Sequence, residues 1–174
     1  MPIRESDLVI PAPMRAMYER FHFAPAVRAG DFLLCSGQLG IGPDGRAIAD
    51  PAEQFAAAFE AVGSVLAEAG LGFADVVEMT TFHTGGMAAQ LGTFMAVKDR
   101  YLPAPHPAWT AIGVSELAFP GALVEIRVTA YRAAASRSAP RAAKRSAVKR
   151  SAVKRSAAKR GAAKKKKKAG RRRR

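Results

Sequence analysis

The stretch LVEIRVTAY, Leu123–Tyr131, alternates without a break. Successive side chains of an extended strand point to opposite faces. Val124, Ile126, Val128 and Ala130 therefore share one face, and Leu123, Glu125, Arg127 and Thr129 share the other. The first face is wholly apolar and needs a cover of packed elements. The second carries two charges and a hydroxyl, so it meets water or a partner subunit.

The cover is found upstream. Asp50-Pro51-Ala52-Glu53 is a helix start, with Asp as N-cap, Pro at the first helical position and Glu at the capping-box position. Phe55, Phe59, Val62 and Leu66 follow on one apolar face, and Gly70 closes the helix. A second helix is predicted over MAAQLGTFMAVKDRYL, ended by Pro103, Pro105 and Pro107. Strands are predicted at DVVEMTTFHT and AWTAIGV. In the latter Trp109, Ala111 and Gly113 share one face, and Thr110, Ile112 and Val114 the other. HFAPAVRAGDFLLCSGQLGI (His22–Ile41) reads as two strands joined at Ala29-Gly30-Asp31, followed by the loop GPDGR. The order β-β-α-β-α-β-β predicts an α+β domain, a mostly antiparallel sheet with two helices packed on one face. Residues 20–132 form this domain, residues 1–19 an N-terminal extension and residues 133–174 a tail of different composition.

The tail dominates the charge. Of 28 Lys and Arg residues in the chain, 19 lie in 133–174, which contains no Asp or Glu; the remaining 9 face all 14 acidic residues. The net +14 is thus a body of −5 joined to an arm of +19, an asymmetry that points to a polyanion partner. The arm repeats every five residues, KRSAV, KRSAV, KRSAA, KRGAA. Five residues advance about 500° around a helix, so the Lys-Arg pairs spiral rather than line one face. With no apolar stripe to bury, the tail is expected to be disordered when free. Its composition is similar to the Lys/Ala-rich tails of linker histones and some bacterial histone-like proteins. Lys144, Arg145, Lys149, Arg150, Lys154, Arg155, Lys159 and Arg160 are the expected nucleic-acid contacts. No aromatic residue stands between the charges to stack on bases, so binding should be sequence-indifferent. If about ten side chains met phosphates, the log–log salt slope would be roughly −9. The alternative is a solvated solubility tail.

A single cysteine, Cys35, excludes an intrachain disulfide and suits a reducing cytoplasm; nucleoid association would follow if the tail engages DNA. Within FLLCSGQ the thiol reads as a small buried apolar group. No apolar run approaches the ~18–20 residues of a membrane span, and MPIRESDLVIPAP lacks the apolar core of a signal peptide. His22, His83 and His106 show no metal-ligand spacing. His83, at a strand end, is placed to reach a cleft. SGQLGIGPDGR lacks the lysine and following helix of a phosphate-binding loop, so neither metal nor nucleotide cofactor is expected.

Four segments carry a resemblance: FLLCSGQLGIGPDGR, FEAVGSVLAEAGLGFADVVEMTTF, HPAWTAIGVSEL and LVEIRVTAY. They resemble the RidA/YjgF family of imine/enamine deaminases over about residues 20–132, and most closely its YjgH-like branch. The resemblance implies a homotrimer with ligand sites in clefts between subunits, which would cover the second sheet face. It also implies a cofactor-free hydrolysis that releases ammonia from a small-molecule imine or enamine. Glu125 matches the family's acid; the alternative is a glutamate paired with Arg127 or Lys98. Ser36, Gly37, Gln38 and Tyr101 match substrate-binding positions. Phe23 stands where the family has a tyrosine and Lys98 where it has an asparagine.

The main departure is Pro107-Ala108-Trp109, where active relatives carry Pro-Ala-Arg with the arginine on the substrate carboxylate. An indole cannot replace a guanidinium fork there. Trp109 either lines the cleft for a flatter, less charged ligand or fills it. Lys98 either replaces the missing cation or is solvated. Three functions remain open: a deaminase of altered substrate preference, a non-catalytic small-ligand binder, and a DNA-associated scaffold.

Overall fold

The computed structural model describes residues 2–132. A six-strand path, β1 (Leu8–Val9), β2 (Ala26–Ala29), β3 (Phe32–Cys35), β7 (Val124–Tyr131), β5 (Val76–His83) and β6 (Ala108–Gly113), runs across one sheet. A short β4 (Gln38–Leu39) continues β3 along the same edge of β7. All pairings are antiparallel except β5 with β6, which the helix α3 (Met87–Tyr101) connects as a crossover. The longer helix α2 (Pro51–Glu68) lies beside α3 on one face of the sheet, as expected for the α+β class. A short α1 (Arg15–Phe21) precedes β2. Residues 1–19 do more than extend the chain: Leu8 and Val9 pair with Val27 and Ala26 at the sheet edge, and Val9 is buried.

Local chemistry explains the helix boundaries. The Asp50 carboxylate accepts the Glu53 amide at 2.9 Å, and Pro51 opens α2, satisfying one of the free amides of the first turn. Gly70, at φ 70°, turns the chain away after α2, a conformation that disfavours residues with a Cβ. Phe55, Phe59, Val62 and Leu66 are fully buried. Phe94 of α3 meets Phe55 edge-on at 5.5 Å and His83 at 4.8 Å between centroids. Beneath them lie Met79, Val124, Ile126 and Val128, all without solvent exposure. Each such side chain contributes roughly 1.5–3 kcal/mol by burial.

Gln54 interrupts this apolar layer. Its side chain is buried, its amide donates to the carbonyls of Ile48 (2.7 Å) and Gly121 (3.1 Å), and its oxygen accepts the Leu123 amide (2.6 Å). One residue thereby ties the loop before α2 and the loop before β7 to the helix. At the far end of β7, Arg132 grips the Asp75 carboxylate with two nitrogens and donates to the Gly70 carbonyl at 2.6 Å.

The other sheet face has no helix over it. Phe32, Leu34, Ile112 and Tyr131 project there with exposures of 40–45%, and the Phe32 and Tyr131 rings touch at 5.0 Å. Glu78 bridges β5 and β7 on this face, accepting from Thr80 at 2.7 Å and Thr129 at 3.1 Å. The alternation predicted for Leu123–Tyr131 therefore holds.

Candidate functional site

Glu125 is set by an irregularity in its neighbour. Leu34 pairs with Thr129 but Gln38 pairs with Ile126, four steps on one strand against three on the other. The extra residue is a β-bulge at Ser36-Gly37, a device that re-aims side chains. Ser36 anchors it, its hydroxyl donating to the Ala24 carbonyl at 2.7 Å and its amide to Pro25 at 2.9 Å. Gly37 lies under Glu125, and a methyl on Gly37 would overlap the carboxylate. Gly37 is therefore required by close approach. Glu125 is half-buried between Leu39 of β4 and Phe82 of β5. Its carboxylate makes no hydrogen bond or ion pair among the described residues. Burial pushes its carboxyl above the ordinary glutamate range, since desolvation disfavours the charged form.

Trp109 points the other way. It pairs with Met79 on the helix side and packs against Phe94 at 5.6 Å. Its indole N–H donates to the Thr81 hydroxyl at 3.0 Å, which lies 2.9 Å from His83 Nε2. His83 is buried, its Nδ1 is without a partner among the described residues, and burial lowers its pKa. Burial disfavours the charged form of the ring, and its Nε2 faces the Thr81 hydroxyl rather than opening to a cleft. Beside Trp109 is a recess of about 220 Å³ lined by Met79, Met95, Lys98, Asp99, Leu102, His106, Pro107 and Trp109. Lys98 is buried, with Nζ 2.7 Å from Asp99 Oδ1 and 5.7 Å from the Trp109 ring centroid. Asp99 is held below the usual carboxylate range chiefly by the hydrogen bond from Lys98.

Within the chain the expected site residues thus separate into groups. Gly37 and Glu125 lie on the open face, and Lys98 and Trp109 line the recess on the helix side. Gln38, buried on the core side, donates to the Ser36 carbonyl at 3.2 Å and holds the bulge. Tyr101 stacks on Phe59 at 4.9 Å and touches Phe73 at 5.4 Å, so it packs between the helices rather than lining the recess. Phe23 is 37% exposed just before the Ala24 carbonyl that anchors Ser36. Glu125 pairs with neither Arg127 nor Lys98. Lys144, Arg145, Lys149, Arg150, Lys154, Arg155, Lys159 and Arg160 lie outside the described residues.

Sequence reasoning missed Met79, Thr81, Met95 and Asp99. Period two places Met79, Thr81 and His83 on one face of β5, but nothing local says that Trp109 sits opposite Met79. Among the described residues no His/Cys/Asp/Glu group could hold a metal ion, and no helix is long and apolar enough to cross a membrane.

A family model described as Endoribonuclease L-PSP matches residues 14–132. The chain belongs to this family, the RidA/YjgF family. It is similar to the RutC family protein YjgH of Escherichia coli (strain K12), 39% identical over 127 residues that cover 72% of this chain and 95% of that protein. A solved structure of a protein YjgH aligns with TM-score 0.66 and 37% identity over 72% of this chain and 95% of that one. Escherichia coli TdcF, solved with bound serine, aligns with TM-score 0.57 and 27% identity, covering 64% of this chain and 88% of that one. The YjgH-like branch of the RidA/YjgF family is where this chain falls.

Proposed function

We propose that residues 14–132 act as a cofactor-free imine/enamine deaminase, assembled as a homotrimer, and that the basic arm holds it on nucleic acid. The observation that carries the enzymatic reading is Glu125: a half-buried carboxyl with a raised pKa and no partner among the described residues, lying over a bulge whose Gly37 leaves it room. Such a group carries a proton closer to neutral pH than an ordinary glutamate. It donates that proton to the imine nitrogen, and its carboxylate takes one from water as the oxygen bonds to carbon. A second protonation of nitrogen lets the C–N bond break. Ammonia leaves, the hydroxyl proton returns to Glu125, and a carbonyl remains. One poised carboxyl suffices for both directions of transfer.

Two features support assembly. The exposed Phe32, Leu34, Ile112 and Tyr131 form an uncovered apolar sheet face, suited to burial against further copies. A cleft holding Glu125 together with Trp109 would have to draw them from different copies, because the sheet separates them. TdcF with bound serine supports a small molecule as ligand. Trp109 in place of an arginine favours a second reading, a trimeric binder without catalysis or a DNA-associated scaffold.

The test generates imines in situ from several amino acids and follows their loss against a trapping nucleophile, with Glu125→Gln alongside. Acceleration that disappears in Glu125→Gln supports the deaminase; no acceleration with any imine refutes it and leaves the binder. Light scattering gives the oligomeric state. For the arm, deletion of residues 133–174 should abolish retention on DNA; unchanged retention removes the nucleic-acid role.

A further inference from the structure

The recess beside Trp109 has a volume near 220 Å³. An engineered apolar cavity of ~150 Å³ accepts benzene, so this one is sized for a single ring. Most of its wall is apolar or polarisable: Met79, Met95, Leu102, Pro107 and the Trp109 indole. Thioethers and an indole face suit a flat, unsaturated group. The indole N–H is already committed to Thr81, so Trp109 offers the ligand surface rather than a donor.

Charge decides the rest. The cation in the wall, Lys98, is matched by Asp99 at 2.7 Å and by the Trp109 ring. His106, the remaining titratable group, has Nδ1 3.2 Å from the Leu102 carbonyl. A carboxylate entering here would leave water and meet an ion pair of zero net charge, with the Asp99 anion repelling it. An unpaired buried anion is strongly disfavoured. A neutral amide, imine or carbonyl group carries no such penalty.

We propose that this recess binds an uncharged, planar, ring-sized group and rejects a carboxylate, so that the substrate is a neutral imine or enamine rather than an imino acid. The substrate half rests on the deaminase reading; the binding preference does not. Lys98 and Asp99 together set the selectivity, and Trp109 supplies the stacking wall.

The chain has a single tryptophan and three tyrosines, so emission excited at the red edge, where the indole alone absorbs, reports the surroundings of Trp109. Full-length protein is titrated with benzamide and with benzoate, which match in size and differ in charge. Benzamide should change Trp109 emission saturably, with benzoate at least tenfold weaker. Asp99→Asn removes the anion beside the buried Lys98 while leaving an amide oxygen for Nζ to donate to, so it frees the Lys98 charge; far-UV circular dichroism checks that the variant folds. The substitution should strengthen benzoate at least fivefold and leave benzamide within about twofold. Benzoate binding as well as benzamide in the unaltered protein, or saturable binding of neither, overturns the proposal.

In parallel, hydrolysis is compared between the imine of acetophenone and the imine of phenylglyoxylate. Preference for the charged imine refutes the substrate class while sustaining a deaminase. Hydrolysis of neither, with benzamide still preferred, refutes the deaminase and keeps the recess as a site for neutral ligands.

Discussion

Replacing Gln54 with Met removes three hydrogen bonds from a buried position without a large change in side-chain volume. The Ile48 and Gly121 carbonyls lose their donor, and the Leu123 amide loses its acceptor. A buried polar group left unpaired costs about 1–3 kcal/mol. Taking the low end for each, because both loops lie near the surface and water can partly replace the amide, gives a loss of about 3 kcal/mol. Against a domain stability of ~5–15 kcal/mol this is a large fraction, and it corresponds to a Tm lower by roughly 10 °C. The measurement is urea unfolding followed by Trp109 emission and far-UV circular dichroism, at one protomer concentration so that assembly does not enter the comparison. A loss below about 1 kcal/mol would refute the view that Gln54 pins the two loops. Gln54→Glu provides a second check. Its carboxyl keeps the acceptor for Leu123 and regains one donor only when protonated. Burial raises its folded pKa above the unfolded one, so the benefit of protonation is complete below the unfolded pKa. That benefit is lost as pH rises through the folded value, and Gln54→Glu should approach the native stability toward pH 4.

Gly37→Ala forces a methyl into the Glu125 carboxylate and should cost about 1–3 kcal/mol; adding Glu125→Ala should recover at least half of that in a double-mutant cycle. Glu125 itself has a raised folded pKa, so its favourable contribution is complete below the unfolded value and is lost as pH rises through the folded one. Glu125→Gln should accordingly show a higher Tm than the native chain at pH 7 and a shrinking difference toward pH 4; a difference independent of pH would contradict this. Thr81→Val strips the acceptor from the half-buried Trp109 indole and the partner from the buried His83. Unfolding should become easier by about 2 kcal/mol, and the Trp109 emission maximum should shift, which a remote packing defect would leave in place.

The sequence by itself determined a good deal. Strict alternation in Leu123–Tyr131 identified β7 and both its faces, because the strand repeat has no ambiguity once one face is apolar. Asp50, Pro51 and Glu53 marked the start of α2 since capping depends on neighbours three residues apart, and Gly70 marked its end for an equally local reason. Leu8 and Val9 gave no comparable signal: two residues are too few to show a period, and their strand exists only because β2 leaves an edge to pair.

The candidate site was readable only as single residues, most of them named through the family resemblance, and not as an arrangement. Glu125, Gly37, Lys98 and Trp109 could each be singled out from the chain, but which of them meet depends on contacts that no local pattern encodes. The bulge at Ser36-Gly37 appears only when β3 and β4 are laid against β7. The pairing of Trp109 with Met79 follows from a parallel register set by the α3 crossover, and the capture of Lys98 by its neighbour Asp99 follows from burial of the lysine between helix and sheet. Sequence determines which groups are present and their local conformation, because caps, turns and strand repeats act over a few residues. Only the tertiary structure decides that Glu125 and Trp109 occupy opposite faces of one sheet, because side-chain encounter is set by long-range strand pairing.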